Sequence, residues 1–280
     1  MYLKVKVPEN QNTTRICMFK QLAPIALATL AYSNCSIATE QQVGKQWFNS
    51  IDYTYLEHDD YNSDGYQLVS HYYFEEQQNS GVLDDYGYLD TDSNIRVNYF
   101  NTDSTDYLGM FGEGYYKNWF VTGEIYDIDD ADNYTVGVGY LFADALKVSV
   151  NKNEREYGDD YWRLKAQYNH QINEKDYLGF TAETDDELDY WNISARYFNH
   201  LSGSQYITVD VGHQDSVYDS ASNAMLSYYF GNHYAIGAGI DDSELVLQGK
   251  YFFNDQYYVT ANYTERGSGE LYNLRFVAQF

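Results

Sequence analysis

The chain has 280 residues, 42 acidic and 17 basic, for a formal net charge of -25; that balance excludes a nucleic-acid partner, since phosphate contacts demand clustered Lys and Arg. With a mean hydropathy of -0.59 and no apolar run near the eighteen or so residues a membrane helix needs, a helical span of the mature chain is excluded as well. What remains is sheet: 33 Tyr favour it, and both prolines, Pro8 and Pro24, fall early, as do Cys17 and Cys35.

In chain order, the first 38 residues read as an extension plus a secretory leader. Lys20 gives a positive start, an apolar stretch spans 22–32, and Ser36, Ile37 and Ala38 lie at the expected cut. Cleavage is expected after Ala38, with Met18 as the true start. Tyr32, Ser33 and Asn34 before Cys35 do not fit a lipid-anchor site.

From Gln46 onward one pattern repeats, about ten residues of alternating character and then a polar turn. Strands are expected at 46–56, 66–74, 94–100, 107–116, 119–126, 134–142, 146–152 and 162–170. They continue at 177–183, 190–198, 206–214, 223–230, 233–240, 244–253, 257–264 and 271–280. The chain thus predicts an all-β, antiparallel transmembrane barrel of about sixteen strands, with short periplasmic turns and short acidic outer loops. In the last strand Tyr272, Leu274, Phe276, Ala278 and Phe280 share one face and Asn273, Arg275 and Gln279 the other. An alternating closing strand with a terminal Phe resembles an outer-membrane assembly signal, carried by Tyr272, Leu274, Phe276 and Phe280. Counting back from a periplasmic Phe280 puts the turns 117–118, 231–232 and 254–255 on the periplasmic side. Aromatic clusters before these turns (72–74, 115–116, 228–230 and 251–253) read as a girdle at one membrane interface.

The leader, the hairpin train, the terminal Phe280 and the segment GVLDDYGYLD after the second strand together resemble the general porin family of Gram-negative outer membranes. The family carries a Pro-Leu-x-Glu-x-x-Phe-Leu segment near that position. Leu83, Asp85, Tyr88 and Leu89 match it in type, while Val82 stands where Pro is common. The resemblance implies a water-filled channel for passive diffusion of ions and small hydrophilic solutes in the cell outer membrane. It also implies contact with outer-membrane lipid, lipopolysaccharide and the barrel assembly machinery, and is compatible with a homotrimer.

Strand parity separates an apolar set, including Val121, Val138, Leu164, Ile193, Val211 and Leu247, from a charged one. A charge facing lipid at mid-depth costs about 2–4 kcal/mol, so the charged set is expected to line a wet lumen. It contains seven bases, Arg96, Lys147, Arg163, Lys165, Arg196, Lys250 and Arg275, and five acids, Asp52, Glu113, Glu124, Glu183 and Asp210. Alternation alone also fits a soluble sandwich or lipocalin-like barrel with the faces exchanged; the leader, the Tyr girdle and Phe280 favour the membrane version.

Most of the negative excess lies in 57–64, 127–132, 154–160 and 241–244, expected as outer loops. Such a mouth concentrates cations and predicts a weak, salt-screened cation preference; its carboxylates also suit bridging by divalent ions to lipopolysaccharide. The long interruption 75–93, periplasmic by parity, is expected to constrict the inner mouth through Val82, Leu83, Asp85, Tyr86, Tyr88 and Leu89, the alternative being an ordinary linker.

Enzymatic readings are poor. Asp210 and His213 are three apart and face opposite sides of a strand, and His200 with Ser202 has no assigned acid. His58, His71, His170 and His233 show no metal-ligand spacing, and neither cofactor nor metal is expected. The competing non-enzymatic reading is a structural or adhesive barrel without significant conductance.

Overall fold

The computed structural model describes residues 44–156, 158–217 and 219–280; the leader expected in 1–38 lies outside them. Sixteen strands run in order: β1 (Lys45–His58), β2 (Asn62–Gln77), β3 (Asn94–Thr102), β4 (Asp106–Tyr116), β5 (Trp119–Asp127), β6 (Asp130–Phe142), β7 (Leu146–Glu154) and β8 (Tyr161–Gln171). The second half comprises β9 (Tyr177–Asp185), β10 (Tyr190–Ser202), β11 (Gln205–Ser216), β12 (Ser220–Phe230), β13 (Tyr234–Asp241), β14 (Glu244–Phe252), β15 (Tyr257–Arg266) and β16 (Gly269–Gln279).

Each strand pairs antiparallel with its sequence neighbours, and β1 closes on β16 from Phe48↔Gln279 to His58↔Gly269. The terminal residue takes part in that seam. Phe280 N donates to Trp47 O at 2.8 Å, and Phe280 O accepts from Gln46 N and Trp47 N. Closure matters because lipid cannot satisfy an open edge; every spanning N–H and C=O needs a partner in the wall.

The outward face is the apolar one. Val121 is 60% exposed and Leu164 48%, with Val138, Ile193, Val211 and Leu247 similarly bare, an arrangement suited to lipid and not to water. The soluble alternative, which needs this face buried, is thereby excluded.

Two sequence expectations need correcting. Several stretches read as acidic loops are strand: of 57–64 only 59–61 connects β1 to β2, and β6 begins at Asp130. The ladder continues past the apolar band, where water accepts polar side chains while backbone bonding goes on. Two-residue connections such as Asp242–Ser243, with φ of 50° and 72°, then suffice as tight hairpins.

The second correction concerns the aromatic clusters, only part of which forms a girdle. Phe74, Phe230 and Phe253 point outward and are exposed, whereas Tyr73, Tyr229 and Phe252 between or beside them are 8%, 4% and 1% exposed and point inward. Strand parity forces this split, since adjacent side chains take opposite faces.

Candidate functional site

The twelve charged positions singled out from the sequence all lie on the wall opposite the exposed apolar stripe, and each belongs to an ion pair. Paired or near-paired strands create most of these contacts. Asp52 and Arg275 are register partners across the β1–β16 seam and bond through Arg275 Nε. Arg196 and Asp210 are partners across β10–β11, at 2.5 Å. Arg163 reaches Glu183 at 3.1 Å, with Lys165 on the same carboxylate at 3.9 Å; Arg96 meets Glu124 at 3.6 Å. Lys147, from β7, crosses to Glu113 of β4 at 2.6 Å, both side chains being below a tenth exposed.

Between the charges run neutral hydrogen-bond ladders. Gln248 donates to Asn262, Asn262 to Asn273 and Asn273 to Thr54, at 2.9, 3.0 and 3.0 Å, carrying one amide chain over β14, β15, β16 and β1. Toward the end away from Phe280, Arg163 sits over the rings of Tyr161 and Tyr190, at 5.2 and 4.8 Å from the centroids. A cavity of ≈ 510 Å³ at that end is lined by Gln67, Val69, Arg96, Asn98, Tyr107 and Glu124, with others. Its lining is mixed, with the charges of Arg96 and Glu124 set among Val69, Ile125, Tyr107 and Tyr126.

The other end is filled. Residues 78–93, between β2 and β3, fold back inside the barrel. Their neck is closed by Phe74 N donating to Ser93 O at 2.9 Å, and the loop is tightened by Ser80 N on Asp85 O at 2.8 Å. Val82, 5% exposed, joins Tyr177, Phe198, Tyr206, Tyr229, Ala235 and Phe252 in one apolar cluster, with Leu83, Tyr88 and Tyr258 packed on it. Gly179 provides the seat for Tyr88: a Cβ there would stand 2.2 Å from the ring, and the Tyr88 hydroxyl meets Thr181 Oγ1 at 2.7 Å. Tyr86 packs edge-on against Phe48, centroids 4.8 Å apart. Burial, with Tyr258 and the acids Asp84 and Asp255 adding to it, pushes the Tyr86 hydroxyl well up, so it stays neutral. Leu89 is half-buried.

Polar bonds fasten the same segment around its circumference. Asp85 Oδ2 accepts from Tyr177 Oη at 2.7 Å and from Arg196 at 3.3 Å. Asp84 Oδ2 accepts from Lys250 Nζ at 2.6 Å and Tyr229 Oη at 3.4 Å. Asp90 takes Tyr73 Oη on its carboxylate and Lys147 Nζ and Tyr115 Oη on its carbonyl; Gln279 Nε2 donates to Leu83 O at 2.7 Å. Contacts thus reach strands from β1 to β16, on all sides of the interior.

Comparison with known proteins now places this geometry. A family model described as putative general bacterial porin matches residues 19–277. The chain belongs to that porin family. No curated protein sequence matches it. Among solved structures, this porin is similar to Omp33 of Acinetobacter baumannii, with 14% identity, TM-score 0.56, and coverage of 86% of this chain and 100% of that one. OprB of Pseudomonas putida matches at 14% identity and TM-score 0.53, covering 85% and 93%. A triple mutant of the Rhodopseudomonas blastica porin matches at 10% and 0.52, covering 83% and 99%. Identities this low establish the shared barrel; the family match establishes the porin.

As a porin, the protein is a channel of the bacterial outer membrane for passive diffusion, and family and fold favour a channel over an enzyme. The enzymatic pairings considered from sequence do not assemble: Asp210 bonds Arg196, whereas His213 meets Ser222 at 2.7 Å and His200 meets the Gly203 carbonyl. Sequence reasoning missed Asp84 and the inward aromatics Tyr73, Phe198, Tyr206, Tyr229, Phe252 and Tyr258. For Tyr73, Tyr229 and Phe252 the signal was present in the triplets, where an aromatic occupies the parity otherwise given to charge, a break in alternation that needs a non-aqueous neighbour inside the wall.

Proposed function

We propose that this porin conducts small hydrophilic solutes along a wall of paired charges, that residues 78–93 plug its inner mouth, and that its net ion preference is weakly cationic. The observation that carries the reading is the way Val82, Asp84, Asp85 and Tyr88 anchor one short segment to strands spread around the interior. The twelve charged wall residues line the path; because their charges are paired, they contribute little net field. The surplus sits in exposed carboxylates at the rim, among them Asp59, Asp60, Asp103 and Asp129. Rim charge is screened over about 10 Å at 0.1 M salt and about 3 Å at 1 M. Reversal potentials in planar bilayers should therefore show a small cation excess at low salt that vanishes at high salt. Strong anion selectivity overturns this part.

Three further assignments belong to the same reading. A leader ending at Ala38 directs export, supported by the Lys20, 22–32 and Ser36–Ala38 pattern. Tyr272, Leu274, Phe276 and Phe280 form the outward stripe read by the barrel assembly machinery; Leu274 and Phe276 are exposed, and Phe276 and Phe280 pack with Tyr257. Lipid and lipopolysaccharide surround the wall, and a homotrimer is the arrangement to test by crosslinking.

A further inference from the structure

We propose that the groups holding Asp84 and Asp85 are a carboxylate-binding site which the plug occupies with its own side chains, and that a free dicarboxylate competes for it and unseats the plug. This rests on the reading of 78–93 as a constriction. Of the twelve wall charges described above seven are basic and five acidic, and the two of these cations that bond plug carboxylates are Lys250, held by Asp84, and Arg196, held by Asp85 as well as by Asp210. Two plug carboxylates therefore supply the charge the wall lacks.

The chemistry is that of carboxylate recognition. Each plug carboxylate has one oxygen between a cation and a phenol: Lys250 and Tyr229 for Asp84, Arg196 and Tyr177 for Asp85. Charge-assisted bonds of this kind are the stronger class. Lys250 Nζ also bonds Tyr229 Oη at 3.1 Å, and Arg196 is fixed by Asp210 at 2.5 Å. Lys250 and Tyr229 are thus held together, and Arg196 is held in place, by bonds that do not involve the plug. Asp84 and Asp85 are neighbours in sequence, so the two cradles lie within the reach of adjacent side chains, and a small molecule with two carboxylates can engage both.

The fit of the native occupant is incomplete. Asp84 Oδ1 is buried with no hydrogen-bond partner, a costly state for a carboxylate oxygen. A free ligand is not bound by the backbone geometry that leaves this atom unpaired. Tethering gives the plug carboxylates an effective concentration on the order of millimolar or above. Competition accordingly requires a solute at millimolar levels, a range suited to a diffusion channel and not to a high-affinity receptor.

The test uses the full-length porin in planar bilayers at fixed ionic strength, with succinate or adipate added against gluconate, a monocarboxylate of similar size. The expected result is a saturable rise of about twofold or more in mean conductance with the dicarboxylate and none with gluconate. D84N/D85N should start at the raised level and gain nothing further. K250M should also lose the response; if it does not assemble, the double Asn variant, which leaves the wall intact, carries the test. Identical responses to dicarboxylate and gluconate in the wild type, while deletion of residues 81–90 still raises conductance, overturn the carboxylate site and leave the plug standing. A deletion variant that conducts like the wild type removes both.

Discussion

The two ends of this barrel are built from the same strands and solve opposite problems. At the end carrying Phe280, inward positions are aromatic, the interior is packed, and charges such as Lys147 and Glu113 pair almost out of water. At the other end, inward positions are polar, Arg163 stacks between two tyrosines, and a cavity of ≈ 510 Å³ stays open. Connections differ in the same sense: sixteen residues, 78–93, lead from β2 to β3 at the packed end, while the longest connection at the open end, 155–160, has six. On the proposed function, permeation is controlled where the chain has inserted extra residues, and ion preference is set where it has placed carboxylates. Outside, one apolar face serves both ends, so wall alternation and control of the channel are separable.

The strongest way to break the contrast is to abolish the closure that both ends share. Removing residues 276–280 strips β1 of partners for Phe48 to Ile51 and the bonds of Phe280, and no heat-modifiable barrel should form. Recovery of a normally migrating barrel would show that the seam is dispensable. Next in size, Gly179→Val places side-chain atoms where Tyr88 packs. Assembly should persist and conductance should rise; unchanged conductance with native heat modifiability would remove Tyr88 as an anchor.

Changes at the open end should be smaller and selective. D59N/D60N/D129N removes exposed rim charge and should move the reversal potential toward zero at about 0.1 M salt, with no effect near 1 M. An altered conductance at high salt would mean these residues act in the path itself. The smallest effect is expected back at the packed end, at Asp176 in the turn before β9. Partial desolvation works against its carboxylate, but bonds from His200 N and the Asn173 side chain prevail and hold its pKa below the usual range. A depressed folded value stabilises the barrel above the unfolded carboxylate pKa of about 4, and the contribution is lost as pH falls through the folded value. D176N should lower the heat-modification temperature slightly at pH 7 and leave it unchanged near pH 2.

Much of the wall was legible because its rule is local. A period of two assigns Leu164 to lipid and Arg163 to the interior without knowledge of any partner, and closure followed from the alternating strand ending at Phe280. Ion pairs between neighbouring strands, such as Arg196 with Asp210, were latent in the same parity. Strand ends were less legible: the polar residues flanking Tyr61 look like loop, although the ladder runs through Asn62. The plug was legible only in outline. Its apolar residues implied a packing surface, but Asp85 meets Tyr177 and Asp84 meets Lys250 across 92 and 166 residues, and no local periodicity encodes such contacts. The inward Tyr73, Tyr229 and Phe252 were hidden because each sits beside outward aromatics that already had an explanation at the membrane interface.

Single-channel conductance of the porin lacking residues 81–90, measured beside the wild type at about 1 M salt where rim charge is screened, bears most directly on the division between a packed and an open end. A several-fold higher conductance from a barrel with native heat modifiability is the predicted result. Equal conductance from the two proteins would contradict it and place the narrowest point elsewhere on the wall.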